Sequence, residues 1–546
     1  MPLRPRPRVG SQLASKLGFA ILLALTPECA LLAQTAVTTY HNDNYRTGLN
    51  SNETVLTQAN VNPSQFGWLA TAVVDDQVEA QPLMVPNVNI TAGNNQGPHN
   101  VVYVVTDNNT VYAIDATLGT VLLSRHLAPA GPAPVGCTGN GRHLGITSTP
   151  VIDTGTNTLY AMAYEKVGQS PSYVLHALDL GSFADKVTAM TVSASHTLTD
   201  GSTFNFNATY QRQRPALLEA NGNIYAGFGS FCDLYGNLSR GWLLGWNAAT
   251  LAPLPVNQVF DIQASDPDNF YLASIWMSGY GPAADDSGNI LFVTGNSDND
   301  GLSYDGVTAV EESVIKVLPD LSMPVDLFTP SNWDTLDDHD FDFGAGGLMI
   351  LPDQPGSIPH FAVAAGKDGN MYFMNEDDLD GYSPLGNNVL GTYHIGACWC
   401  GESYFVDSDG LARVVSSGGK RVAVWKLQTS PTPKLILVTQ SPLLSTGQQQ
   451  GFFTSVSSSG GSNAVIWALT RPLSRTSPGI TLYAFNPDAG GKTMTTLFSA
   501  TAGTWPNYGG DSNQVPMIAN GMVYVASYKE LQIFGLIDEK RSKPTK

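Results

Sequence analysis

The chain is poor in charge. Lys, Arg, Asp and Glu make up 13% of its 546 residues, too little for a coiled coil or a long-helix protein. Basic residues are the scarcer kind, 27 Lys and Arg against 46 Asp and Glu, for a net charge of −19. A surface of that sign repels nucleic acid and anionic lipid, and neither is expected as a partner. No segment after the first 34 residues reaches 18 uninterrupted apolar positions, so no membrane span is expected. There is no Gly-x-Ser-x-Gly elbow and no His-Glu-x-x-His pair, which leaves a hydrolase without support. There is also no Cys-x-x-Cys-His haem motif. Cysteine itself is sparse, at five residues.

Turn formers and aromatics are abundant instead. The 54 Gly, 34 Pro, 21 Tyr, 21 Phe and 9 Trp suit many short strands joined by tight turns. With 42% hydrophobic residues the chain can build a large core and is not disordered.

The first 34 residues read as an export leader. Arg4, Arg6, Arg8 and Lys16 precede the apolar stretch Leu17 to Leu25, and small residues follow from Ala30 to Ala36. Cleavage after Ala33, Gln34 or Ala36 each fits. The expected location is periplasmic or secreted. Removing residues 1–34 takes away four positive charges and one negative, so −19 becomes −22. The four cysteines that remain suit disulfides in an exported protein. A Cys137–Cys232 bridge is expected. Cys398 and Cys400, one residue apart, are too close for an easy bridge and are expected free or cross-paired.

A repeated unit runs through the rest. Val102–Thr106 is followed by Val111–Asp115, and Thr158–Ala161 by His176–Asp179. Six more such pairs follow, the last being Gly521–Val525 with Leu531–Phe534. Eight units at a period of about 50 to 70 residues, each built of short strands, signal a β-propeller. The fold class expected is all-β: a single eight-bladed propeller of four-stranded antiparallel blades over residues 66–537. The last unit has only three strands before the chain runs out. The spare strand Gly67–Val74 would complete it and close the ring. Residues 35–65 are expected to wrap the ring, and 538–546 to form a charged, frayed tail.

The units resemble the quinoprotein repeat, whose outer strand carries Ala-x-Asp-x-x-Thr-Gly. Ala113 to Gly119 matches with the Thr displaced, and Ala484 to Gly490 matches more loosely. The resemblance covers nearly the whole chain after the leader. It implies a cofactor, pyrroloquinoline quinone (PQQ), held on the propeller axis with Ca²⁺. Calcium takes hard oxygen ligands, and a carboxylate removes the substrate hydroxyl proton.

Several stretches are similar to that family in chain order. Gly229-Ser230-Phe231-Cys232-Asp233 resembles the segment bearing a Glu calcium ligand, with Asp233 in that place. Trp276 resembles the tryptophan that stacks on the quinone. Thr294-Gly295-Asn296 resembles the Thr-Gly-Asn whose Asn binds calcium. His339-Asp340-Phe341-Asp342 resembles a His-Asp-x-x-Asp run one residue longer, which makes Asp342 the catalytic base and a metal neighbour. Lys367 resembles a cofactor-contacting cation, and Cys137 with Arg142 a loop over the cofactor. The departures are a single Cys where the family has an adjacent pair, and Arg142 in a Gly-Arg-His context.

Each residue also has a plainer reading. Asp233 caps a turn, Asn296 makes an Asx turn, and Asp340 and Asp342 belong to a solvated acidic loop. Trp276 fills a blade interface, and Lys367 sits in a hairpin turn. Arg142 and Arg214 pair with surface carboxylates, His143 and His339 are exposed, and Glu402 faces either channel or solvent.

Two functions follow. One is a PQQ- and calcium-dependent dehydrogenase that oxidises an alcohol or sugar hydroxyl and passes electrons to an external acceptor. The other is a non-catalytic propeller that binds a protein, peptide or glycan at its channel mouth, where Trp505 and Tyr508 lie in a Gly-rich loop.

Overall fold

The computed structural model describes residues 34–137, 141, 143–168, 170–297, 304–488 and 490–537. The leader, Arg142 and the tail 538–546 lie outside the described residues.

Eight blade sheets follow one another along the chain, the expected eight-bladed propeller, antiparallel except where Gly381–Tyr382 and Leu49–Asn50 add a short parallel strand to blades 4 and 7. Blade 1 shows the pattern. Its strands are Leu83–Ile90, Gly97–Val105, Thr110–Asp115 and Val121–His126, paired in chain order. Val101 to Val105 are buried on both faces because a blade is sandwiched between two others. The outer strand Val121–His126 has only Leu122 buried. The innermost strands of blades 2 to 8 are Val151–Asp153, Leu218–Ala220, Ala283–Ala284, Leu348–Leu351, Ser403–Val406, Phe453–Ser459 and Met517–Ala519.

The core is not one mass but a series of apolar clusters between neighbouring blades. One packs Tyr103 and Val105 of blade 1 against Leu159 and Ala161 of blade 2. Another packs Trp467 and Leu482 of blade 7 against Val523 and Phe534 of blade 8. A flat sheet that buries both faces this way has no stable existence alone. Among the described residues α-helix is confined to Trp333–Asp338. No helix there is long and apolar enough to cross a membrane.

The ring closes as the spare strand predicts. Phe66–Gln77 pairs antiparallel with Tyr528–Leu536, so the N-terminal strand is the outer strand of blade 8.

The segment before it, expected to wrap the ring, follows the ring from within over residues 37–50. They run once around its bore and bond every innermost strand in turn. Val37 pairs with Met84 of blade 1, and the Thr38 carbonyl accepts from Ile152 of blade 2. Asn44 donates to Glu219 of blade 3 (2.9 Å) and accepts from Ala284 of blade 4 (2.9 Å). The carbonyls of Tyr45, Thr47 and Gly48 accept from Ile350, Tyr404 and Val456 of blades 5, 6 and 7. The Asn50 amide donates to the Ile518 carbonyl of blade 8 (3.1 Å). The physical reason is that inner strands leave edge groups facing the axis, and a buried edge must be paired. Tyr40, His41 and Arg46 of this lace fill the bore against Tyr280, all wholly or almost wholly buried.

Candidate functional site

The loops that lead into the innermost strands gather at one end of the bore and enclose a cavity of about 260 Å³. That is near the small end of ligand pockets, with room for one flat molecule. Its wall includes Cys232 and Asp233 from blade 3, Trp276 from the loop into blade 4, and Asp340 and Asp342 from the loop into blade 5. Lys367 comes from the turn between two blade 5 strands, and Gly509 to Asp511 with Asn513 from the loop into blade 8. Four of the expected site residues, Asp233, Trp276, Asp342 and Lys367, therefore meet at one space.

Lys367 organises the centre. Its Nζ lies 2.9 Å from Asp342 Oδ2, and 2.5 Å from Asp340 Oδ1. Burial pulls the ammonium toward neutrality, but the Asp342 and Asp340 charges outweigh it and hold its pKa above the ordinary value. The same ammonium lies 5.6 Å from the ring centre of Trp276 and 5.6 Å from that of Trp399, within cation–π range. At Gly295 a Cβ would lie 3.2 Å from Trp276 Nε1 and 3.4 Å from Asp342 Cγ. A side chain there would crowd both Trp276 and Asp342.

Carboxylates outnumber this cation. Burial and then the Asp342 charge push Asp233 up to about 6. Glu312, fully buried behind Asp342, is raised for the same two reasons. One Glu312 oxygen accepts from the Phe343 N–H, and the other has no partner. At the other side of the cavity the sign reverses. Arg214 Nε lies 3.1 Å from Glu79 and Arg212 Nη2 3.7 Å from it, and the buried Arg212 Nε has no partner.

The backbone around the cavity is held in an unusual conformation. Cys232, Asp233, Met277, Ser278, Glu312 and Asp340 all have φ between 45° and 53°. For residues other than Gly and Asn this region costs energy, and it persists where the surroundings over-determine it. The Ser278 hydroxyl bonds the Ala345 carbonyl at 2.6 Å, pinning the turn that presents Trp276.

The remaining expectations fall out unevenly. Asn296 reaches the site through its main chain, its N–H donating to Asp342 Oδ1 at 3.3 Å. Its side chain is not among the groups that line the cavity. Cys137 is bridged to Cys232 over a separation of 95 residues, so it contributes through a disulfide that borders the cavity. Arg142 lies outside the described residues. Arg214 is not a surface partner: it is buried and binds Glu79. Trp505 is buried with its indole N–H on the Gly510 carbonyl, so it shapes the lip and does not face a ligand.

The expectation for Cys398 and Cys400 is corrected. They are bridged to each other, with Cα atoms 4.8 Å apart, well within disulfide reach. Proximity in sequence argued against a bond that the local backbone in fact permits. Glu402 beside them points to neither channel nor solvent. It is wholly buried with no partner on either oxygen, and burial pushes it up to about 8.

Sequence reasoning missed Glu79, Arg212, Glu312 and Trp399 as parts of this site. None sits in a recognisable motif, and their convergence comes from four different blades.

No family model and no curated protein matches this sequence. Solved structures do match in shape. The quinohemoprotein alcohol dehydrogenase of Comamonas testosteroni is 14% identical with a TM-score of 0.55, over 94% of this chain and 82% of that one. The quinohemoprotein alcohol dehydrogenase ADHIIG of Pseudomonas putida HK5 is 12% identical with a TM-score of 0.56, over 93% and 82%. A europium-containing methanol dehydrogenase is 10% identical with a TM-score of 0.59, over 92% and 98%. At these identities the likeness concerns fold. The chain is thus an eight-bladed propeller of quinoprotein-like architecture, the fold these alcohol and methanol dehydrogenases share.

Proposed function

We propose that the cavity binds PQQ with a hard cation and that the protein is an exported dehydrogenase for an alcohol or sugar hydroxyl. The observation that carries this reading is the surplus of carboxylate at one side of the cavity: Asp233, Asp340 and Asp342 line it around the Lys367 ammonium, with Glu312 buried behind Asp342. Crowded carboxylates raise one another's pKa, and a hard cation with oxygen ligands relieves that repulsion.

The residues present fit the group. Asp233 and Asp342 offer oxygens to the cation, and Asn296 lies next to them in the chain of contacts. Trp276 offers a face to a flat ring. Arg212, with an unused buried donor, and Arg214 and Lys367 offer positive charge to the carboxylates of PQQ. When bound, PQQ supplies a two-electron acceptor for the substrate carbon.

The chain's own part is proton handling and positioning. Asp342 takes the hydroxyl proton, and Lys367 orients Asp342 through the 2.9 Å contact. The Trp276 turn holds the ring plane, and the loop into blade 8 narrows the mouth. Electrons leave to an external acceptor. One of the similar structures is a methanol dehydrogenase containing europium, so both calcium and a lanthanide belong in any trial.

A second reading is favoured by one observation. Asn296 offers main chain where the resemblance asks for a side-chain oxygen, which suits a propeller that binds a ligand without chemistry. Thermal unfolding with and without PQQ, Ca²⁺ and Eu³⁺ separates the two. A ligand at a hundredfold excess over Kd raises stability by about 2.7 kcal/mol. A rise that needs both PQQ and a cation supports the first reading. A cooperative transition that neither additive moves overturns it.

A further inference from the structure

The Cys398–Cys400 disulfide encloses a single residue, Trp399. Both cysteines are wholly buried, and Trp399 is half-buried. The bridged loop is docked on the Lys367 turn, since the Cys398 N–H donates to the Gly366 carbonyl at 3.0 Å. The Trp399 N–H donates to the Gln450 carbonyl at 3.1 Å, and the Cys400 carbonyl accepts from Gly347 at 2.9 Å. At Gly451 (φ +83°) a Cβ would stand 3.1 Å from Cys400 Cβ and 3.2 Å from Cys398 Cα. A bare backbone is needed there for the loop to seat.

Arg471 ties the same loop to the cavity lip. It is buried, and its Nη2 donates to the Trp399 carbonyl at 2.7 Å and to Asn513 Oδ1 at 2.6 Å. Asn513 lines the cavity. The indole of Trp399 then lies as near to Lys367 Nζ as that of Trp276, 5.6 Å in each case. The backbone on both sides of residue 399 is thus held while its ring lies beside the central ammonium.

We propose that Trp399 is a positioning residue of this site, a second aromatic partner of Lys367, and that the Cys398–Cys400 disulfide holds it in place. Binding of a flat, carboxylate-bearing ring system is thereby coupled to the redox state of that bridge. The ligand class rests on the reading given under Proposed function; the placement of Trp399 does not. Opening the bridge takes two electrons and two protons from a dithiol reductant, which leaves as its own disulfide while Cys398 and Cys400 become thiols. The freed tripeptide no longer constrains Trp399 from both sides.

The test uses the full chain labelled with 5-fluorotryptophan, the Trp399 resonance being identified by its loss in Trp399→Phe. In ligand-free protein the Cys398→Ser/Cys400→Ser variant is expected to move or broaden that resonance while unfolding stays cooperative. PQQ affinity, titrated with Ca²⁺ present, is expected to fall about 10-fold in the double variant and in Trp399→Leu, as loss of an aromatic contact implies. Trp399→Phe is expected to stay within about 3-fold of wild type, because it keeps a ring face. An unmoved resonance, or wild-type affinity in the double variant, overturns the clamp. Failure of the wild type to bind PQQ overturns the ligand class alone, and the ligand-free resonance still decides the placement. If the double variant does not fold, a phosphine-reduced wild type, its open bridge confirmed by mass, gives the same two readouts.

Discussion

Two buried cations sit along the axis of this propeller, and they are built differently. Arg46, in the lace that fills the bore, donates to the carbonyls of Pro282 (2.8 Å), Tyr40 (2.9 Å) and Leu217 (3.3 Å) and to the Thr39 hydroxyl (2.7 Å). It is wholly buried, and neutral oxygens from three parts of the chain occupy its fork. Lys367, at the cavity, faces two carboxylates directly and two more at longer range. One arrangement is closed, with the donors taken up by main-chain carbonyls and one hydroxyl. The other is open, with more acid than base and empty space beside it. A buried charge whose hydrogen bonds go to neutral oxygens of the fold fastens that fold. A charge imbalance held around a cavity marks a place for something else to bind.

The comparison is sharpened most by Asp342→Asn. PQQ-dependent reduction of a dye by alcohol is expected to fall 10²- to 10⁴-fold, about the range for a lost general base, with the unfolding midpoint little changed. Unchanged dye reduction would remove Asp342 from the chemistry. Arg46→Leu is expected to do the reverse. It should cost on the order of 3 kcal/mol in denaturant unfolding, because several buried carbonyls lose their donor together. Lys367→Met should cost less than Arg46→Leu, since Asp340 and Asp342 line an open cavity, yet it should abolish the thermal shift given by PQQ with Ca²⁺. Equal stability losses at the two positions would break the distinction between fastener and site.

The two disulfides repeat the contrast. Cys137–Cys232 closes a loop across 95 residues, and a disulfide typically contributes about 2 to 4 kcal/mol. Cys137→Ser/Cys232→Ser should lose that much in calorimetry. Cys398→Ser/Cys400→Ser, with a separation of 2, should lose far less.

A pH dependence concerns Glu402. Its folded pKa of about 8 lies above its ordinary 4.5, so burial favours the protonated form. Stability from this group is complete below about pH 4.5 and is lost as pH rises toward 8. The slope is on the order of 1 kcal/mol per pH unit across that window. Glu402→Gln should flatten this slope in unfolding measured from pH 5 to 8. A slope that survives the substitution would place its source elsewhere.

Much of the fold is legible in the chain because blades repeat. Strand pairs such as Val102–Thr106 with Val111–Asp115 carry their own periodicity, and the spare strand Gly67–Val74 shows by simple count where the ring must close. The site is legible only where it rides on local motifs, as at Asp233, Trp276, Asp342 and Lys367. Glu312 and Arg212 carry no local signal, because their importance lies in what stands opposite them across the axis. That the lace lines the bore was not legible for a related reason. Residues 37–50 lack the alternation of a strand, since each hydrogen bond goes to a different blade and no single sheet imposes a period of two on them.

By itself, then, the sequence determined the all-β repeat, the number of blades and the strand that seals them, since these depend on alternation and turn residues within a few tens of positions. The tertiary structure decided which charges meet. It put Arg46 among carbonyls and Lys367 among carboxylates, and it joined Cys398 to Cys400 with the Trp399 ring beside Lys367. Electrostatic surplus and ring placement arise between groups far apart in the chain, and only closing the ring brings them within reach of one another.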